Sequence, residues 1–132
     1  MKAAVYAKTL TGCFRNCEAV AAYAQQQGET ITVIACGERW GQDDSLRPSL
    51  EDWLGAGAII AYLSGTKSPE ARAAAAAFHD ARDDLASLVK TCSSGRELIE
   101  RGFEEDVDLA VQWNVSSGAP VFVKGAFLYH NP

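Results

Sequence analysis

Apolar positions along the chain follow two periods. Between Asn16 and Gly28 they recur at Cys17, Val20, Ala21 and Ala24, one face of a helix, with Asn16 placed to cap its start and Gly28 to stop it. The run TITVIAC, Thr30 to Cys36, is instead apolar at successive positions, as a central parallel strand covered on both faces by helices should be. A short strand at AAVYA before the helix gives the order strand, helix, strand of a βαβ unit. The expected fold class is α/β, with layered helices around a small, mainly parallel sheet.

Downstream the helical period dominates. Ser49 opens a helix, with Pro48 before it and Asp52 three residues on as in a capping box, and with Leu50, Trp53, Leu54, Ala58 and Leu63 toward the core. Gly55 and Gly57 inside that helix each cost about 1 kcal/mol relative to Ala, so close approach of a neighbour, most simply another helix, is expected there. Ser68 and Pro69 start an alanine-rich helix through Phe78. HDARDD reads as a solvated helix end, after which Leu85, Leu88 and Val89 resume the spacing. Ser94 and Glu97 form a second capping-box pattern before the stop at Gly102, and a helix with an acidic first turn follows from Glu104 to Trp113. Val121 to Val123 closes the chain as a strand, followed by the tail FLYHNP.

With 132 residues, 48% apolar and 22% charged, the chain reads as one α/β domain over residues 1–132, large enough for its own core. Twelve basic residues against seventeen acidic ones give a net charge of −5 and no basic stripe, so nucleic acid is not an expected partner. A small anionic ligand would need a local positive device. The apolar stretch Leu54 to Leu63 is too short to span a bilayer and the start of the chain has no signal-peptide core, so no membrane partner and a cytoplasmic location are expected. Cys13, Cys17, Cys36 and Cys92 form no C-x-x-C pair and read as small buried hydrophobes; Cys13 and Cys17 would form a redox pair only if both were exposed. His79 and His130 have no evident partner.

Two segments carry candidate chemistry. CSSGREL places two hydroxyls and a glycine at a helix start with Arg96 just inside, so unpaired N–H groups, the helix dipole and a permanent cation together suit an oxyanion. On spacing alone a plain cap is the commoner arrangement, with Arg96 paired to Glu97 or Glu100 on the surface. GERWGQDD and the following SLED gather Glu38, Asp43, Asp44, Glu51 and Asp52 beside Arg39 and Arg47, where loop carboxylates suit Mg²⁺ or simply shape turns. Trp40 fits a ligand platform or a cover for its loop.

NCEAVAAYA, ITVIACGERW, RPSLEDWLGAGAII, SPEARAAAAAF and SSGRELIERGFEEDVDLA, in this order, resemble the C-terminal half of the 2-phosphosulfolactate phosphatase family. The resemblance runs over roughly Arg15 to Phe127, with ACGERW, LEDWLGAGAI and SGRELIERGFEEDV its most specific pieces. It implies a Mg²⁺-dependent hydrolase that converts 2-phosphosulfolactate to sulfolactate and phosphate, a step toward coenzyme M. Under that resemblance Ser93, Ser94, Gly95, Arg96 and Arg39 become candidates for binding a phosphorylated or sulfonated ligand, Glu38 and Glu51 for catalysis, and Asp43 and Asp52 for holding Mg²⁺. The mechanism requires the start of the SSGREL helix and the acidic loop to face one cleft. The family's N-terminal half, with an Asp-x-Leu-Arg-type motif, has no counterpart here. The alternative expectation is therefore a truncated, non-catalytic anion-binding or assembly module whose bare strand edges are covered in a homo-oligomer.

Overall fold

Helices form where apolar spacing and start signals coincide. A computed structural model describes residues 7–130. Its helices are α1 (Cys17–Gln25), α2 (Leu50–Tyr62), α3 (Pro69–Ala81), α4 (Leu85–Thr91), α5 (Ser93–Glu100) and α6 (Glu104–Ala110). In α1 the buried residues are Cys17, Val20, Ala21 and Ala24, the stripe that the spacing predicts. Pro69 is the first residue of α3, and the Ser68 hydroxyl accepts a hydrogen bond from the Ala71 N–H at 3.2 Å. HDARDD becomes the end of α3 and an exposed 3₁₀ turn, Arg82–Asp84, leading into α4.

Helix α2 is central, with α1 and α3 packed against it and Leu54 through Ile60 buried. A Cβ on Gly57 would lie 2.1 Å from the Ala74 carbonyl oxygen, so only glycine lets α3 cross there. Gly55 has nothing within 4 Å of the same position. Leu50 and Trp53, expected in the core, are 37% and 45% exposed, because the first turn of α2 precedes the crossing at Gly57. The core joins α1, α2, α3, α4 and α6, with Phe14 stacked on Phe78 at 6.5 Å and Trp113 edge-on to Phe78 at 5.7 Å.

The expected parallel sheet is not formed among the described residues. Instead there are two antiparallel pairs: β1 (Glu38–Arg39) with β2 (Leu46–Arg47), and β3 (Ala119–Val123) with β4 (Ala126–His130). Thr30 to Cys36 runs without a ladder, and Ile34 is 75% exposed. A parallel strand needs a neighbour at its edge, and the expected one, AAVYA, lies outside the described residues except for Ala7. Lys124 and Gly125 both have positive φ and close β3–β4 as a two-residue turn, so the tail after Val123 turns back as a strand. On its other edge β3 meets the segment around Leu10.

Side-chain caps also differ from expectation. The Asn16 carboxamide is buried and works across the fold: its Oδ1 accepts from the Cys13 N–H at 2.8 Å and its Nδ2 donates to the Gly118 carbonyl at 3.0 Å. Capping of α1 falls to Asn114, whose Oδ1 accepts from the Glu18 N–H at 3.1 Å. Cys17 is fully buried, burial pushes its thiol pKa up, and it donates to Asn114 Oδ1 at 3.0 Å. Only Cys13 of that pair is exposed, so the redox reading of Cys13 and Cys17 is overturned.

Candidate functional site

The loop after Cys36 folds into the β1–β2 hairpin because its ends pair and its turn is internally bonded. Trp40 N–H donates to Ser45 O and Asp44 N–H to Trp40 O, both at 2.9 Å, with Asp44 at φ 58°. Asp43 closes the turn by accepting from the Ser45 N–H at 3.0 Å and the Ser45 hydroxyl at 2.6 Å, which holds its carboxyl below the usual carboxylate range. The Arg39 guanidinium donates back to the Asp44 carbonyl at 2.6 Å, and its side chain is largely exposed. Glu38 lies opposite Arg47 and Arg39 opposite Leu46 in the register. Neighbours along a strand point to opposite faces, so Glu38 and Arg47 share one face and Arg39 takes the other.

Arg47 then joins the hairpin to α5. Its two terminal nitrogens meet the two Glu97 carboxylate oxygens at 2.6 and 3.0 Å, the fork-to-fork arrangement that gives Arg–carboxylate pairs their geometric specificity. This hydrogen bonding holds the Glu97 carboxyl below its ordinary pKa. The Arg47 guanidinium also lies 5.3 Å from the Trp40 ring centre, so the expected platform or cover stacks on an arginine of its own hairpin.

Helix α5 begins at Ser93, two residues earlier than a cap at Ser94 requires, and its N-cap position is Cys92. Glu97 is therefore spent on Arg47 rather than reaching back to the helix start. Arg96 N–H donates to Cys92 O, while the N–H groups of Ser93, Ser94 and Gly95 precede the first intrahelical bond. The Cys92 thiol lies 3.7 Å from Glu51 Oε2 and 3.4 Å from Ser94 Oγ. The structure thus brings Glu51, in the first turn of α2, to the Cys92 thiol at the start of α5, and links the acidic hairpin to the same helix. Arg96 is exposed and has no side-chain partner among the described residues. Ser93 is exposed, whereas Gly95 is buried, and a Cβ there would lie 1.9 Å from the Val89 carbonyl oxygen. Gly95 is thus needed for the α4–α5 corner.

Asp52 accepts from the Gly37 N–H at 2.9 Å, tying α2 to the foot of the hairpin. Burial, then the neighbouring Glu51 charge, raise its carboxyl pKa. Asp43 and Asp52 therefore serve separate local bonds, and no group of three or more candidate metal ligands occurs among the described residues. A hard ion that retains most of its waters needs only one or two carboxylates, and Asp52, whose carboxyl pKa is raised by burial and the neighbouring Glu51 charge, fits that donor chemistry. Two open concavities of about 610 and 620 Å³ lie elsewhere, one along α3 with Lys67, Arg72 and His79 in its lining, the other beside Gln25 and Ser64. Neither includes a carboxylate or hydroxyl of the α2–α5 junction. Sequence reasoning placed Arg47, Glu97 and Cys92 in the two candidate segments but missed that Arg47 pairs with Glu97 and that Cys92 meets Glu51, since residues 50 and 41 apart carry no spacing signal.

The family model described as 2-phosphosulpholactate phosphatase matches residues 1–125, so the similarity begins at the first residue rather than near Arg15. A 2-phosphosulfolactate phosphatase of Methanothermobacter thermautotrophicus is 30% identical over 121 residues, covering 92% of this chain and 50% of that protein. A probable 2-phosphosulfolactate phosphatase of Gloeobacter violaceus is 34% identical over 112 residues, 84% of this chain and 45% of the relative. One from Pseudothermotoga lettingae, described in the same words, is 29% identical over 126 residues, 95% and 53% of the two chains. The chain spans about half the length of the curated relatives it matches. No helix among the described residues is long and apolar enough to cross a membrane.

Proposed function

Because the chain belongs to the 2-phosphosulfolactate phosphatase family, we propose that it hydrolyses 2-phosphosulfolactate to sulfolactate and phosphate at the junction of α2 and α5. One observation carries this reading: the Glu51 carboxylate lies at the start of α5, 3.7 Å from the Cys92 thiol that adjoins the Ser94 hydroxyl. A carboxylate and a helix's positive end are thereby available to one small dianion. Ser93, Ser94 and Arg96 bind the phosphoryl oxygens, and Gly95 shapes the corner that presents them. Glu51 orients the attacking water and accepts its proton, with Glu38 on the Arg47 face of the hairpin as the second candidate carboxylate. Asp52, with waters, would hold Mg²⁺, which supplies charge neutralisation when bound; Asp43, closed onto Ser45, is the weaker candidate ligand. Positioning and electrostatics provide most of the rate in such phosphoryl transfers.

Phosphate release from 2-phosphosulfolactate by the purified chain tests this. Turnover that requires Mg²⁺ is expected, with Arg96→Ala lowering kcat/KM by about 10²-fold or more, the usual cost of one charge-stabilising donor. Well-folded protein that releases no phosphate at any metal concentration overturns it. Mg²⁺ is also expected to raise the thermal midpoint of wild type and not of Asp52→Asn, a readout independent of turnover.

A second reading, an assembly module, is favoured by the apolar Thr30 to Cys36 run, which has no ladder among the described residues and leaves Ile34 exposed. A homodimer covering this edge is its simplest form. Retained phosphate or sulfate binding without turnover, in a dimer, supports it over the enzyme.

A further inference from the structure

The hairpin that carries Glu38 has strands of two residues each, too short to hold a position by its own ladder. Something must fix it against α5. Among the described residues, the hydrogen bonds from hairpin to α5 are the two that Arg47 gives Glu97, at 2.6 and 3.0 Å. The Arg47 side chain is only 16% exposed, and its guanidinium lies over Trp40 from the opposite end of the same hairpin. One side chain therefore grips three parts: its own strand, the turn through Trp40, and the second turn of α5 through Glu97. Four residues after Arg47 stands Glu51, whose carboxylate reaches the Cys92 thiol at the start of that helix.

We propose that Arg47 is a positioning residue: its fork onto Glu97 and its stack on Trp40 clamp the hairpin and the first turn of α2 against α5, and so keep the Glu51 carboxylate at the Cys92 thiol, at the start of α5. The importance of the clamp for turnover rests on the reading of the α2–α5 junction as the site; the clamp itself does not. Arg47 differs from Arg96 in this respect. Arg96 is exposed and unpaired among the described residues, available to an incoming anion, whereas Arg47 has both terminal nitrogens engaged. Lysine in its place would keep the charge and lose both the fork and the planar stack.

The test is a double-mutant cycle on the full chain with Arg47→Ala, Glu97→Ala and the double variant, reading two local signals. One is the alkylation rate of Cys92, assigned by peptide mapping to separate it from Cys13, Cys36 and Cys17. The other is amide hydrogen exchange at Trp40 and Asp44, whose N–H groups bond within the hairpin turn. Each single variant is expected to speed both by roughly tenfold, a mid-range effect for a coupled pair, and the double variant to add little more. Rates like wild type in Arg47→Ala, or single effects that add in full, overturn the clamp. If an alanine variant fails to fold, Arg47→Lys and Glu97→Gln take its place, with a smaller change of the same sign expected. Where wild type turns over, Arg47→Lys is expected to lower kcat with KM within about twofold, since positioning acts on the reacting geometry; a rise in KM alone overturns the positioning role in favour of direct binding. A wild type that releases no phosphate sinks the enzymatic reading and leaves the alkylation and exchange cycle to decide Arg47.

Discussion

A methyl group added at Gly95 would meet the Val89 carbonyl oxygen at 1.9 Å, and one added at Gly57 the Ala74 carbonyl oxygen at 2.1 Å. Gly95→Ala and Gly57→Ala are each expected to cost about 1–3 kcal/mol, the range for forcing an extra carbon into a packed contact, read as a lower urea midpoint. Gly55→Ala, with nothing within 4 Å, is expected to gain up to about 1 kcal/mol from helix propensity. If Gly95→Ala proves neutral, the corner is not sterically closed and Gly95 returns to the list of ligand contacts. The close approach in α2 was readable at residue scale, because a glycine inside an apolar helix has few other uses. Which of the two α2 glycines, and that Gly95 belongs to the same class, was not readable. Both depend on a carbonyl that only the packed neighbour supplies.

Among whole elements, helix existence was legible, and helix capping was legible at Ser68 but not at Asn16 or Glu97. The stripe of α1 and the Ser68–Pro69 start of α3 are local, and they hold as read. Asn16 and Glu97 carry the right chemistry at capping positions, yet neither caps its expected helix: the Asn16 side chain accepts from Cys13 N–H in the preceding 3₁₀ turn and donates to Gly118 across the fold, and Arg47 takes Glu97. Asn114, 96 residues from Glu18, caps α1 instead, while its Nδ2 donates to the Tyr62 hydroxyl at 2.7 Å. Asn114→Ala is expected to destabilise the chain by about 1–2 kcal/mol, as loss of a helix cap does, with hydrogen exchange rising first in α1. An unchanged urea midpoint would show that Asn114 is not the cap.

The Arg47–Glu97 pair makes an element-scale prediction about pH. Because the folded state lowers the Glu97 pKa, the stability it contributes is present above the unfolded value, about 4.3, and is lost as pH falls through the lower folded value. The stability gap between wild type and Glu97→Gln is therefore expected to be full at pH 7 and to close toward pH 3, measured by urea midpoints at each pH. A gap that widens on acidification contradicts the pairing.

For the molecule as a whole, composition and helical period were enough to give a mixed α/β chain, while the first strand of the expected parallel pair lies, but for Ala7, outside the described residues. TITVIAC has the composition of a buried central strand, and among the described residues it pairs with none. The two antiparallel hairpins depend on turns, at Asp43 to Ser45 and at Lys124–Gly125, that local reading passed over as loop and tail. The bare run gives the assembly reading its test. Light scattering at micromolar concentration is expected to show a dimer that Ile34→Lys converts to monomer, whereas a strict wild-type monomer removes that reading.

At the same scale, Arg96, the hydroxyls of Ser93 and Ser94, and Glu51 are contributed by segments about 40 residues apart that meet at one junction. Whether they act on one ligand is measured most directly by backbone NMR during a titration with inorganic phosphate in the presence of Mg²⁺. Joint, saturable shifts of the Ser93–Arg96 and Glu51–Asp52 amides with a single dissociation constant are the expected result. Shifts confined to one of the two segments, or to the Lys67 and Arg72 concavity along α3, would contradict a shared site.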